Sequence, residues 1–226
     1  MGSMGFTYSV VTLSIKSITR ILCKVDDSQL CNVPDHGPFI IASNHINFIE
    51  VPVVYTHLQP RKITGFVKAE TWDNPVMGFL FTLWDGIPVQ RGEADANAIR
   101  SALEALKQGK ILAIAPEGTR SGDGKLQRGL PGIVMLAHLS NAPILPLIYY
   151  GGEKIQENLN RLKRTDFHIR VGKMFKLSFA EGKPNKDLRI DMIDEIMFQL
   201  AVLLPEEYRG YYSDISKMST NYLKYV

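Results

Sequence analysis

Cysteine is scarce. The 226 residues hold two, Cys23 and Cys31, too few for a disulfide scaffold and without histidines at metal-ligand spacing. Two reduced thiols and no bound metal are expected. Long apolar runs are missing too. The longest, at 76–81 and 143–148, fall far short of the ~18–20 residues of a membrane-spanning helix. A chain that lies on a bilayer remains compatible with this, and one that crosses it does not. No basic start followed by an apolar block marks the N-terminus, so no cleavable export signal is expected. Charge is nearly balanced: 26 Lys and Arg against 23 Asp and Glu give +3, and no nucleic-acid partner is expected. There is no Gly-x-Ser-x-Gly elbow, no His-Glu-x-x-His zinc helix and no Gly-x-Gly-x-x-Gly fingerprint. A nucleotide P-loop ending at Gly124-Lys125 fails, because Thr119 stands at the leading glycine position and Leu126 where Ser or Thr would bind magnesium. Internal repeats and low-complexity tracts are absent.

What is present is a folded chain, 45% hydrophobic and 22% charged, long enough for one large domain with a small appendage. Near the N-terminus Val11, Ile15, Ile18, Leu22 and Val25 step by four and three, predicting a helix over 6–25 with these residues on one face. Lys16, Arg20 and Lys24 centre on the opposite face, and no acid occurs before Asp26. Such a helix suits a membrane interface with its cations toward anionic headgroups; it equally suits packing on a protein core.

Beyond a turn-rich connector, strands and helices alternate. Strands are predicted at 39–42, 63–68, 87–89, 110–115 and 144–149, and a strand-rich stretch at 167–179. Helices are predicted at 52–57, 75–83, 94–108, 130–139 and 188–204. The pattern implies an α/β fold, a single layered domain with a largely parallel central sheet flanked by helices, plus the N-terminal amphipathic helix. The chain divides into 4–30, a possible membrane-surface helix; 31–205, the α/β domain; and 206–226, a tail with five of the nine tyrosines, suited to docking on the domain or to an interface.

Two stretches carry chemistry. His45 follows a buried strand, at the end where α/β folds place their ligand sites. Glu50 comes five residues later, just before Val51-Pro52, at a helix N-terminus that keeps a carboxylate ionised. Five residues do not align two side chains on one helix, so the loop must curl to bring them together. The pair would then be the base and orienter of a triad without its serine. The alternative is a capping glutamate beside an incidental histidine. The second stretch is Glu117-Gly118-Thr119-Arg120-Ser121, also after a buried strand. Gly118 permits unusual backbone angles, Thr119 offers a hydroxyl and Arg120 a fork suited to phosphate. Lys68 and Arg91 end two further strands, and with Arg120 they could form an anion site at one edge of the sheet.

In this order, Asn44-His45 with Glu50, then Gly86-Ile87-Pro88-Val89-Gln90-Arg91, then Glu117-Gly118-Thr119-Arg120-Ser121, then Ala142-Pro143-Ile144-Leu145-Pro146, the chain resembles the glycerolipid acyltransferase superfamily over about residues 38–150. Within it, the likeness is to bacterial 1-acyl-glycerol-3-phosphate (lysophosphatidic acid) acyltransferases. The resemblance implies fatty acyl transfer from acyl-CoA or acyl carrier protein to a lyso-lipid hydroxyl in phospholipid biosynthesis. No cofactor is implied beyond that donor substrate. It implies a membrane lipid acceptor and a peripheral place on the cytoplasmic membrane face. It assigns His45 as general base, Glu50 as its partner, and Lys68, Arg91, Glu117, Gly118, Thr119 and Arg120 to acceptor binding, with Pro146 structural or donor-facing. The family usually carries aspartate where this chain has Glu50, longer by one C–C bond (~1.5 Å). Either the loop has adjusted, or the acceptor differs, or activity is reduced. The other functions considered are a non-catalytic lipid-binding module and an acyl hydrolase or transacylase on the same fold.

Overall fold

Side-chain caps set the starts of three helices. Asn74 accepts hydrogen bonds from the amides of Val76 and Met77, both at 3.0 Å, and Pro75 follows at the first helical position. Asp95 does the same for Asn97 and Ala98 at 3.0 and 2.9 Å, and Asn185 for Leu188 at 2.8 Å. Each cap satisfies amides that have no partner inside the helix.

The computed structural model describes residues 2–90, 95–179 and 184–226. In chain order the elements are α1 (Gly2–Leu22), β1 (Cys23–Asp26), β2 (Phe39–Ala42), α2 (Glu50–His57), β3 (Ile63–Lys68), α3 (Pro75–Leu83), β4 (Ile87–Val89), α4 (Ala96–Lys107), β5 (Ile111–Ile114), α5 (Gly132–Ser140), β6 (Ile144–Tyr150), α6 (Ile155–Asn160), β7 (Thr165–Val171), β8 (Phe175–Leu177), α7 (Lys186–Ala201) and β9 (Leu223–Tyr225). The sheet runs β1-β7-β6-β2-β5-β3-β4, with β8 pairing β6 and β9. The pairs from β6 through β2, β5 and β3 to β4 are all parallel. Those that β6 makes with β7 and β8 are antiparallel.

Alternation along the strands divides the core in two. Ile40, Leu112, Ile144 and Ile148 face α4, α5 and α7. Ile41, Ile111, Leu145, Leu147 and Tyr149 face the side of α1, α2 and α3. This is the expected α/β architecture, with a largely parallel sheet covered on both faces.

The N-terminal segment differs from its sequence pattern. The helix stops at Leu22, and residues 23–26 leave it to pair with β7. Ile15, Leu22 and Val25 pack on the core, but Ile18 is 53% exposed. The inner face is completed by the buried Thr12 and Thr19 rather than by apolar residues alone. Outside, Phe6, Leu13 and Ile21 stand 73%, 65% and 68% exposed. The cations are not a free face: Arg20 pairs with Asp27 at 3.0 Å and Lys24, in β1, with Asp166 at 3.6 Å. Simple periodicity missed this because serine and threonine alternate with the apolar residues on both sides.

At the other end, residues 223–225 join the sheet through β8. Tyr212 is buried, and its hydroxyl donates to Asp194 and accepts from the Gly129 amide. Docking on the domain accounts for this part of the tail. Cys23 is buried, Cys31 exposed, and both are free. Among the described residues, no helix is long and apolar enough to cross a membrane.

Candidate active site

The sheet order decides which loops meet. β2 and β5 are neighbours, so the segments after their carboxyl ends lie side by side. The amides of Ser121 and Gly122 donate to the carbonyls of His45 and Ile46 at 2.8 and 2.9 Å. β3 lies on the other side of β5 and delivers Lys68 to the same end.

The loop from Ser43 to Ile49 does curl. Asn44 is buried and locked to β6: its amide nitrogen donates to the Tyr149 carbonyl, and its oxygen accepts from the Tyr149 amide, both at 2.8 Å. The Asn47 side chain donates to the Gly152 carbonyl and accepts from the Ile49 amide at 2.9 Å. α2 then begins at Glu50 itself, and the glutamate reaches back. Its Oε1 lies 2.5 Å from His45 Nδ1, and its two oxygens accept from the Asn47 amide at 3.2 and 3.1 Å. The loop is shaped around the longer side chain. Glu50 is 3% exposed, while the His45 side chain keeps 16%. Glu50 occupies Nδ1, so Nε2 is the ring nitrogen turned away from the pair.

Glu117 does different work from the rest of its motif. It is 4% exposed, and its oxygens accept from the amides of His45 at 2.7 Å and Gln127 at 2.9 Å. It is a strut between two loops. Burial pushes its carboxyl up to about 7, against the lowering effect of those amides. Because the folded form holds the proton more tightly than an ordinary glutamate does, stability from this group is present at low pH and is lost as pH rises from about 4.5 to about 7. Across that window wild-type stability to urea is expected to fall by on the order of 3 kcal/mol relative to Glu117→Gln; burial lowers His57 to about 4, so it adds an opposite slope over nearly the same range in both proteins, and the difference between them isolates Glu117.

Gly118 turns the chain at φ +69°, the left-handed region glycine tolerates best. A Cβ there would also meet Leu130 at 2.7 Å. Gly118 and Thr119 are exposed in this turn, and neither lines the cavity beside His45. Arg120 does line it, as does Lys68. Arg120 forms no ion pair among the described residues; Lys68 pairs at the surface with Glu70 at 3.3 Å. Arg91 lies outside the described residues. Pro146 sits within β6 against Gly172, away from the cavity.

The cavity itself had no clear signal in the sequence. It measures about 470 Å³ and opens beside His45 and Glu50. Its apolar wall comes from α2, α3, β3 and β5, including Val54, Phe66, Leu80, Phe81 and Trp84. Tyr55, Phe81 and Tyr149 fell within predicted helices and a strand, with nothing in the sequence to mark them or Trp84 as lining a cavity. An ionisable pair, cations at the rim and a deep apolar wall suit an amphiphile with an anionic head.

The family model described as Acyltransferase matches residues 24–150. A 1-acyl-sn-glycerol-3-phosphate acyltransferase of Bacillus subtilis (strain 168) is 31% identical over 121 residues, covering 53% of this chain and 59% of that protein. The Limnanthes alba enzyme of the same name is 39% identical over 116 residues, covering 50% of this chain and 41% of its own. The match thus spans about three fifths or less of these relatives' lengths. The crystal structure of the Thermotoga maritima 1-acyl-sn-glycerophosphate (LPA) acyltransferase shares the fold, with a TM-score of 0.64 over 90% of this chain and 82% of that one, at 20% identity. With more than half of its residues matched by the family model, the chain belongs to the acyltransferase family.

Proposed function

We propose that this protein transfers a fatty acyl group from a thioester, acyl-CoA or acyl carrier protein, to the hydroxyl of 1-acyl-glycerol-3-phosphate or a related anionic lyso-lipid. The observation that carries this reading is the 2.5 Å His45–Glu50 pair at the mouth of an apolar cavity, with Arg120 and Lys68 at its rim. The named relatives support the acceptor class.

A thioester is already activated; what is missing is a nucleophile, since an alcohol is barely ionised at neutral pH. His45 Nε2 accepts the hydroxyl proton as the oxygen attacks the carbonyl carbon. Glu50 holds Nδ1–H and stabilises the imidazolium. The C–O bond forms, the C–S bond breaks, and the imidazolium returns the proton to the departing thiolate. Arg120 and Lys68 grip the phosphate, binding remote from the reacting atoms that orients the hydroxyl. Gly118 and Thr119 shape the turn that carries Arg120, and Glu117 holds that turn to the His45 loop.

The reading is tested by supplying long-chain acyl-CoA with lysophosphatidate or with monoacylglycerol and measuring free CoA. Release is expected with the phosphorylated acceptor and much less without the phosphate. No release with any lyso-lipid would end the proposal.

The substrate is reached from a membrane surface, through the outer face of α1. Phe6, Leu13 and Ile21 offer it apolar area, and so do Val76 and Phe79 on α3, 72% and 55% exposed. Because two of the three cations already have acidic partners, vesicle binding is expected to depend on apolar burial more than on charge. Leu13→Glu is expected to weaken sedimentation with vesicles by more than about tenfold. High salt should weaken it little. The opposite pattern would move the attachment to the charges.

A further inference from the structure

Among the described residues, three that are not glycine adopt positive φ: Asp85, Asn141 and Leu162. Aspartate and asparagine tolerate this region. Leucine is disfavoured there, because its Cβ crowds the following carbonyl. Leu162 stands at φ +52°, one residue beyond the cap of α6, Arg161. Its amide donates to the Leu159 carbonyl at 3.1 Å, and the Lys163 amide donates to the Asn158 carbonyl at 2.8 Å. This pair of bonds ends a helix on a left-handed residue, and the residue is usually glycine. Here it is a leucine, 98% exposed. A single exposed leucine is ordinary. One fixed in a disfavoured conformation, with nothing packed on it, is unfavourable to the isolated protein on two counts.

The loop lies at the active-site edge of the sheet. β7 runs antiparallel to β6, and β6 parallel to β2, so β7 begins at the end where β2 delivers His45. It is two strands from β2, about 10 Å across the sheet. β1 runs parallel beside β7, with Cys23 opposite Thr165, so the last turn of α1 arrives at that same end. The Arg164 guanidinium ties the two segments together, donating to the carbonyls of Arg20 and Cys23 at 2.6 and 2.8 Å. Leu162 thus stands two residues from a bond to α1, whose Ile18 and Ile21 are 53% and 68% exposed. Ile155 and Leu159 pack α6 on the sheet face that α1 and α2 cover.

We propose that Leu162 is a wedge that enters the acyl layer of a lipid bilayer beside the active site, a contact separate from the outer face of α1. The stretch 159–165 holds Arg161, Lys163 and Arg164 and no acid. Arg161 pairs with Glu157 at 3.0 Å, and Arg164 is engaged with the two carbonyls. Lys163 is exposed and forms no ion pair among the described residues. An apolar tip flanked by cations fits a surface that is anionic outside and hydrocarbon within. Two copies of this chain meeting symmetrically at the loop would set these cations against each other. With one unpaired cation, the leucine carries most of the attachment. The proposal rests on the reading that the acceptor is drawn from a membrane.

Leu162→Asn provides the test, since asparagine suits the left-handed conformation and removes only the apolar tip. Its melting temperature is expected to be level with the wild type or higher. Its sedimentation with vesicles of phosphatidylcholine and phosphatidylglycerol is expected to weaken about tenfold. Leu162→Met, which keeps an apolar tip, is expected to stay within about threefold of the wild type. The wedge is refuted if the asparagine variant binds these vesicles as the wild type does, or if the wild type does not bind them. It is also refuted if sedimentation equilibrium shows a wild-type dimer that Leu162→Asn dissociates, which would give the leucine to a second copy. CoA release with a short-chain lysophosphatidate free in solution is measured on the same proteins. It is expected to be equal, because Leu162 is not among the residues around His45. Absence of release from both, alongside the loss of vesicle binding, defeats the transfer reading and leaves the wedge standing; release with unaltered vesicle binding does the reverse.

Discussion

Replacing His45 with alanine is expected to lower kcat about 10³–10⁴-fold while leaving the fold in place. The first figure is the usual contribution of a positioned general base. The second expectation follows from what holds the loop. It is the His45 backbone, not the imidazole, that donates to Glu117 at 2.7 Å and accepts from Ser121 at 2.8 Å. Alanine keeps both bonds. Glu50 loses one partner but retains the Asn47 amide, so the melting temperature should fall by no more than about 10 °C. Acceptor KM should change little, because the cations at the rim are untouched. Turnover within tenfold of wild type in a folded variant would remove His45 from the chemistry.

The second large effect is expected at Glu50, and two substitutions separate its functions. Glu50→Gln keeps the length and the Asn47 contact but removes the charge that stabilises the imidazolium and fixes its tautomer. A loss of about 10³–10⁴-fold in kcat is expected. Glu50→Asp keeps the charge and withdraws it by about 1.5 Å from a bond now 2.5 Å long. That misplacement is expected to cost about 10²-fold. Measuring kcat/KM for both variants orders them: glutamine worse than aspartate, both worse than wild type. A gain in the aspartate variant would mean that the loop is not built around the longer acid.

The site was partly legible beforehand. His45, Lys68 and the 117–120 turn sit at or just after strand carboxyl ends and Glu50 at a helix start, and those positions follow from local signals: the buried run before Asn44, Pro52 after Glu50, the glycine at 118. Glu117 was legible as polar and near the others, but its work as a strut was not. A carboxylate offered to substrate and one offered to two backbone amides have the same neighbours in the chain. The N-terminal helix was legible as a helix, but not in which of its residues it buries. Its periodicity is real, but apolar residues lie on both sides, and only the packing of α1 on α2 shows which set is inside.

By itself, then, the amino-acid order determined the alternation of strands and helices, most of their boundaries, the layered architecture and the residue types able to accept a proton or grip an anion. Those depend on propensities and periodicities within a few residues. Strand order, the meeting of the 45 and 120 loops and the lining of the cavity were decided by tertiary structure alone. They rest on pairings between segments tens of residues apart, such as Asn44 with Tyr149 and Glu117 with His45, whose free energy no local window contains.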